Sequence, residues 1–231
     1  MIRAPEDLQR YEQMVSVLGE VARRRRQAGS VADAMYYQLL ADYYARVLEA
    51  KQGGGLVGAH TLMLPTDPFY AMDAVPLCME VASSSLMVLH REYDELLGTS
   101  KSFGLNPFLC SVHKSIIGAW VKGWLPTPDA VVWSKQVCEN TAMVGSALME
   151  VCRCPGYHVD RPYRCSDREI EYYAAELQGM VDFLEEQGME DLSALSSAIQ
   201  DRAEAAMRQA IELIPDGEYP YSLETDGFDW P

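Results

Sequence analysis

The sequence predicts an α/β fold: a Rossmann-like domain with a parallel sheet, preceded and followed by helical segments. Two observations support this prediction. Short apolar runs of strand length alternate with helical patterns of about a dozen residues, which is typical of βαβ units. In addition, residues 130–134 read AVVWS and are apolar almost throughout. Such a run is expected of a strand in a parallel sheet that is covered on both faces.

Residues 1–52 are predicted to form a helical N-terminal segment. Apolar residues recur at steps of three and four over 5–28 and again over 31–51, which predicts two helices. Three consecutive glycines, Gly53 to Gly55, end the second helix because glycine propagates a helix poorly.

Residues 53–165 are predicted to form the α/β domain. The apolar runs of strand length cover 56–64, 74–78, 130–134 and 157–160. The helical patterns between them cover 83–97, 110–123 and 139–152. The serines Ser83 to Ser85 are interpreted as an N-cap cluster, since the sequence offers no partner base for a nucleophile.

Residues 166–214 are predicted to be helical, and residues 215–231 form an acidic tail. Ser166 is the expected N-cap of this segment, and Glu169 completes a capping box three residues later. Gly188 is expected to divide the segment into two helices.

Composition limits the classes of function. The chain has 231 residues, 48% of them hydrophobic and 23% charged, which are ordinary values for a globular protein with one sizeable core. No apolar run approaches the roughly 18 residues that span a bilayer, and the first residues lack the apolar part of a secretory signal. We therefore expect a cytoplasmic protein without a membrane partner.

The net charge of −15 disfavours binding to nucleic acid, because an acidic chain repels phosphate backbones. The run Arg23 to Arg26 follows a helical pattern and is interpreted as a solvated helix end.

Six cysteines are the main candidates for chemistry, since a reducing cytosol favours metal binding or simple burial over disulfides. Cys152 and Cys154 form a Cys-x-Cys pair, which is a poor zinc motif, and with Cys165 they are interpreted as incidental thiols. Cys78 follows a predicted strand, where simple burial is common for a free cysteine.

Cys110 and Cys138 have no motif by spacing, and on that ground alone they are read as buried small residues. Their context favours another interpretation, because each lies at a loop–helix junction on what is predicted to be the same sheet edge. Helix N-termini favour the thiolate that iron requires. His113, one turn after Cys110, either faces such a site or is a partly exposed surface residue. His60 is predicted to be a satisfied core histidine, and His90 a solvated one.

Six short segments form a further pattern: PFYAMDAVP (68–76), NPFLCS (106–111), GAW (118–120), LPTPD (125–129), VCENT (137–141) and YHVDRPY (157–163). Together they resemble the 2-hydroxyacyl-CoA dehydratase D-component family, which includes benzoyl-CoA reductase subunits. The resemblance extends over about residues 30–190, including the helix that begins at Asp167.

The resemblance implies an iron–sulfur enzyme of anaerobic metabolism. Members pair two homologous subunits, each with a 4Fe–4S cluster, and an ATP-dependent activator supplies one electron. The electron passes to a CoA-thioester substrate, which permits dehydration in the lyases and ring reduction in the reductases. Cys110 and Cys138 match the first two cluster cysteines of the family, so they are the predicted metal ligands. No catalytic residue is identified.

The family pattern also includes a third cluster cysteine that has no match here. Cys78, Cys165 or a cysteine of a partner chain are possible replacements, and an incomplete or absent cluster is the other possibility. The chain would then be a non-catalytic interaction subunit.

The tail has a second resemblance. Residues 202–211 and 214–219, which contain the Pro-Asp-Gly turn, are similar to a segment of hydantoinase B and acetone carboxylase subunits. This implies a third possibility, an accessory chain of such an enzyme.

Overall fold

The computed structural model describes residues 5–136 and 138–188, together with Glu204 and Arg208. The chain divides into two compact units, residues 1–193 and 194–231. The first contains a four-stranded, fully parallel sheet with the strand order β2–β1–β3–β4, so the predicted α/β fold is confirmed. The strands are β1 (Leu56–His60), β2 (Ala74–Cys78), β3 (Ala130–Trp133) and β4 (Gly156–His158).

Eight helices surround this sheet in the described part of the first unit. They are α1 (Gln9–Gln27), α2 (Val31–Gly53), α3 (Asp67–Ala71), α4 (Met79–His90), α5 (Tyr93–Phe103), α6 (Ser111–Val121), α7 (Asn140–Cys152) and α8 (Asp167–Glu186). None of the described helices combines the length and apolarity that a membrane span requires.

The sheet is covered on both faces, which explains its continuous apolar strands. Alternate residues of a strand point to opposite faces. Val131 and Trp133 belong to the larger core, with side chains from α1, α2, α4, α6 and α7. Ala130 and Val132 belong to the smaller core on the opposite face, with side chains from α3 and α8.

The strand order creates a crevice between β1 and β3. The chain leaves β1 toward α3 on one face of the sheet and leaves β3 toward α7 on the other. Where neighbouring parallel strands connect in opposite directions, a crevice opens beyond their carboxyl ends, and ligands of open α/β sheets bind there.

The interval between β2 and β3 differs from the prediction. The single helix expected over 83–97 is two helices, α4 and α5, separated at Arg91, which has a φ of 55°. Because α4 begins at Met79 directly after β2, Ser83 to Ser85 lie inside the helix, and the prediction of an N-cap cluster was wrong. The Ser83 hydroxyl instead donates to the Glu80 carbonyl at 3.3 Å.

Several predicted element ends are confirmed. Gly54 adopts a left-handed conformation, with a φ of 78°, and ends α2. Ser166 and Glu169 form the predicted capping box at the start of α8. This helix ends before Gly188, whose φ is 82°.

In the second unit the described residues are Glu204 and Arg208, which are helical and joined by an ion pair of 2.5 Å. The acidic tail 215–231 lies outside the described residues. So does most of the segment, residues 202–219, that resembles hydantoinase B and acetone carboxylase subunits.

Candidate functional site

The carboxyl ends of β1 and β3 are tied together at the crevice. The backbone N–H of Ser134, directly after β3, donates to the Thr61 hydroxyl oxygen at 3.0 Å. The N–H of Thr61, directly after β1, donates to the Val132 carbonyl at 3.3 Å. These bonds fix the two loop starts that define this edge of the sheet.

Cys110 is the N-cap residue of α6, and it is exposed. Helix α6 ends near the start of β3, because the Trp120 indole N–H donates to the Pro126 carbonyl at 3.0 Å in the connection between them. Residues 122–129 thus connect the end of α6 to β3. As the N-cap residue, Cys110 adjoins the backbone N–H groups of the first turn of α6.

Cys138 is held at the carboxyl edge of the sheet, just before α7. Its carbonyl accepts hydrogen bonds from the backbone N–H of Thr141 at 3.1 Å and from the Thr141 hydroxyl at 2.6 Å. The same hydroxyl lies 2.7 Å from the Ser134 carbonyl oxygen. Thr141 therefore closes the turn between β3 and α7 and fixes the backbone of the half-buried Cys138.

Three buried polar atoms at this edge lack a hydrogen-bond partner within the described part of the chain. They are Ser134 Oγ, Gln136 Oε1 and His158 Nε2. Leaving such a group unpaired costs about 1–3 kcal/mol, so each requires an explanation. A ligand in the crevice would supply one. Sequence reasoning missed these residues because they form no motif, although Ser134 and Gln136 lie at or just after the end of the predicted strand 130–134; His158 falls inside the predicted strand 157–160, which ends at His158 in the structure.

Cys78 lies at the end of β2 and is the N-cap residue of α4. Its side chain is buried, as predicted, and its thiol donates to the Glu80 carboxylate at 3.7 Å. Burial raises the pKa of this thiol to about 12 and also raises the pKa of Glu80. A protonated thiol is a poor candidate for the third ligand.

The other cysteines do not complete a metal site. Cys152 belongs to the larger core, and Cys154 packs against it. Cys165 is exposed just before the N-cap of α8. Across residues 5–136 and 138–188, no three His, Cys, Asp or Glu side chains are grouped so that they could hold a metal ion.

The histidines differ from one another in environment. His60 is the satisfied core histidine that was predicted: its Nδ1 donates to the Thr61 carbonyl at 3.0 Å, and burial lowers its pKa to about 4. His90 is half-buried and bonds through Nε2 to the Arg10 carbonyl at 2.9 Å, so its solvated assignment was wrong.

His113 is buried, with 5% of its surface exposed, so of its two predicted alternatives the partly exposed surface residue was wrong. Neither ring nitrogen has a partner among the described residues, and burial lowers its pKa. It lies one turn after Cys110 on α6.

Comparison with known proteins identifies the family of this chain. The family model described as 2-hydroxyglutaryl-CoA dehydratase, D-component, matches residues 61–226. This range begins at Thr61 in the crevice, contains both Cys110 and Cys138, and covers most of the chain. A search of curated proteins gave no significant match. The chain therefore belongs to the 2-hydroxyglutaryl-CoA dehydratase D-component family and is a component of a 2-hydroxyacyl-CoA dehydratase-type enzyme.

Proposed function

We propose that this chain is a subunit of an enzyme of the 2-hydroxyacyl-CoA dehydratase or benzoyl-CoA reductase type, with Cys110 and Cys138 as ligands of a 4Fe–4S cluster. Three facts support the proposal: Cys110 is the N-cap residue of α6, Cys138 directly precedes the N-cap of α7, and the chain belongs to this family. When bound, the cluster supplies one electron to a CoA-thioester substrate.

The surroundings of the two thiols support iron binding in part. Cys110 is exposed and Cys138 is half-buried, so both sulfurs are accessible to a metal. All six cysteines of the sequence are described, yet Cys110 and Cys138 belong to no group of three potential metal ligands formed by residues 5–136 and 138–188. Two thiolates do not complete a cluster site. We therefore place a further ligand on a partner chain, in keeping with a homologous second subunit.

The chain's own polar groups have a binding role in this proposal. Ser134 Oγ and Gln136 Oε1 follow β3, His158 Nε2 lies at the end of β4, and none of the three atoms has a hydrogen-bond partner among the described residues. They would orient the substrate by hydrogen bonds, while the Thr141 hydroxyl keeps the Cys138 turn in place. An ATP-dependent activator would deliver the electron.

Iron analysis of the full chain, purified anaerobically with its co-purifying partner, tests the proposal. We expect about four irons per chain. Cys110→Ser and Cys138→Ser should each lose most of this iron, whereas the control Cys154→Ser should retain it. Wild-type protein without iron, or unchanged iron in both variants, would contradict the assignment.

A second candidate function is a non-catalytic interaction subunit. The absence of a three-donor group among the described residues favours it. In that case the chain would form a stoichiometric complex whose iron content and CoA-thioester turnover are unaffected by Cys110→Ser and Cys138→Ser. Loss of either property in the variants would exclude this alternative.

A further inference from the structure

The loop between β4 and α8 forms a small pocket with a basic wall. The pocket has a volume of about 170 Å³, and its wall includes the side chains of Arg161 and Arg164. Ile170 and Tyr173 supply apolar wall. The two arginines make this pocket wall basic, although the chain as a whole has a net charge of −15.

Neither guanidinium forms an ion pair within the described part of the chain, and two carboxylates of this region contact other groups. Asp160 pairs with Lys135 at 3.6 Å and accepts a hydrogen bond from the Tyr172 hydroxyl at 3.1 Å. Glu169, which also lines the pocket, accepts the backbone N–H of Ser166 at 3.2 Å. The two arginines are therefore available to an external anion.

Two further hydrogen bonds tie the loop to neighbouring elements. Glu176 accepts the backbone N–H of Asp160 at 2.9 Å, where the loop begins. The Tyr163 hydroxyl donates to the Glu139 carboxylate. Because Glu139 directly follows Cys138, this bond links the basic loop to the candidate cluster site. These bonds constrain the loop that carries both arginines, while the guanidinium groups themselves remain exposed.

We propose that Arg161 and Arg164 bind phosphate groups of coenzyme A, the carrier of the substrate. Guanidinium groups bind phosphate oxygens through paired, charge-assisted hydrogen bonds. The link to Glu139 would direct the acyl end of the bound thioester toward the Cys138 edge. The identity of this ligand rests on the proposed function, whereas the anion site rests on the pocket alone.

Calorimetric titration of the full-length protein tests the assignment, with CoA, ADP and inorganic phosphate as separate probes. Arg161→Gln and Arg164→Gln should each weaken CoA binding about tenfold or more, as expected for the loss of charged hydrogen bonds. Arg161→Lys should lose less. The control Arg168→Gln removes an exposed arginine of α8 outside the pocket wall and should bind CoA like wild type.

Unchanged CoA affinity in both pocket variants would overturn the proposal, as would wild-type protein that does not bind CoA. Equal affinity for ADP with the same arginine dependence would replace CoA with a general nucleotide site. Iron content separates this result from the proposed function. Arg161→Gln should retain wild-type iron, and Cys110→Ser should retain wild-type CoA affinity.

Discussion

Cys78 and Cys110 are the N-cap residues of α4 and α6, and Cys138 precedes the N-cap of α7, but the environments of the three thiols differ. Cys78 starts α4, is 8% exposed and donates its thiol proton to Glu80. Cys110 starts α6 and is exposed, while Cys138 precedes α7 and is half-buried. The difference shows that a helix N-terminus does not by itself make a metal-binding thiol. Desolvation and a neighbouring carboxylate override the favourable position.

The largest expected difference is in alkylation rate. In iron-free protein at pH 8, we expect Cys78 to react with iodoacetamide at least roughly a thousandfold more slowly than Cys110, since only the thiolate reacts and burial raises the Cys78 pKa to about 12. Peptide mass spectrometry over time would measure both rates. Urea-unfolded protein is the control, in which the two thiols should react alike. Equal rates in the folded protein would remove the basis of the comparison.

The buried region around Cys78 should also determine how the folding stability changes at acidic pH. His60 is the register partner of Cys78, and burial lowers its pKa from 6.5 to about 4. The unfolded state then binds a proton before the folded state does. Stability should therefore fall by about 2–3 kcal/mol as the pH drops from 7 to 4.5. Glu80, whose pKa is raised, acts in the opposite direction.

Urea unfolding of wild type and His60→Asn at both pH values isolates this contribution. The amide of asparagine can replace the Nδ1–H bond to the Thr61 carbonyl without titrating. The variant should lose clearly less stability on acidification. An equal loss in both proteins would show that His60 is not the group responsible.

The position of the exposed Cys110 should depend on how α6, the helix that it starts, packs against α5. A Cβ at Gly118 would overlap the carbonyl oxygen of Leu96 on α5, so Gly118→Ala should destabilise the protein by about 2 kcal/mol. Gly98→Ala on α5 is the matched control. It has open space and should stabilise by up to about 1 kcal/mol. Denaturant midpoints that move equally in the two variants would argue against a tight position for the helix that starts at Cys110.

The smallest expected effect concerns the carboxylate beside Cys78. Glu80→Gln removes the charge that opposes the thiolate, while its amide oxygen still accepts the Leu62 N–H. Because burial is the larger cause of the raised pKa, Cys78 alkylation should increase by no more than about tenfold. If the alkylation rate of Cys78 rose to that of Cys110, the low reactivity of Cys78 would be due to Glu80 and not to burial.

Much of the fold could be predicted because its signals are local. Apolar strands, the glycine end of α2 and the Ser166 capping box each follow from a few neighbouring residues. The division of α4 from α5 at Arg91 could not, since no glycine or proline marks it and a residue with positive φ breaks the helix.

The site was predictable only in outline. The positions of Cys110 just before a helix and of Cys138 between β3 and α7 follow from the order of the elements. The burial of His113 depends on packing between elements distant in sequence. So do the unpaired atoms at Ser134 and His158.

Differential alkylation of the anaerobically purified protein, before and after iron is removed by a chelator, tests the central claim most directly. We expect Cys110 and Cys138 to be protected while iron is bound and to be alkylated once it is removed. Exposed Cys165 should react in both states, and buried Cys78 in neither. Alkylation of Cys110 and Cys138 at the same rate with and without iron would contradict their assignment as cluster ligands.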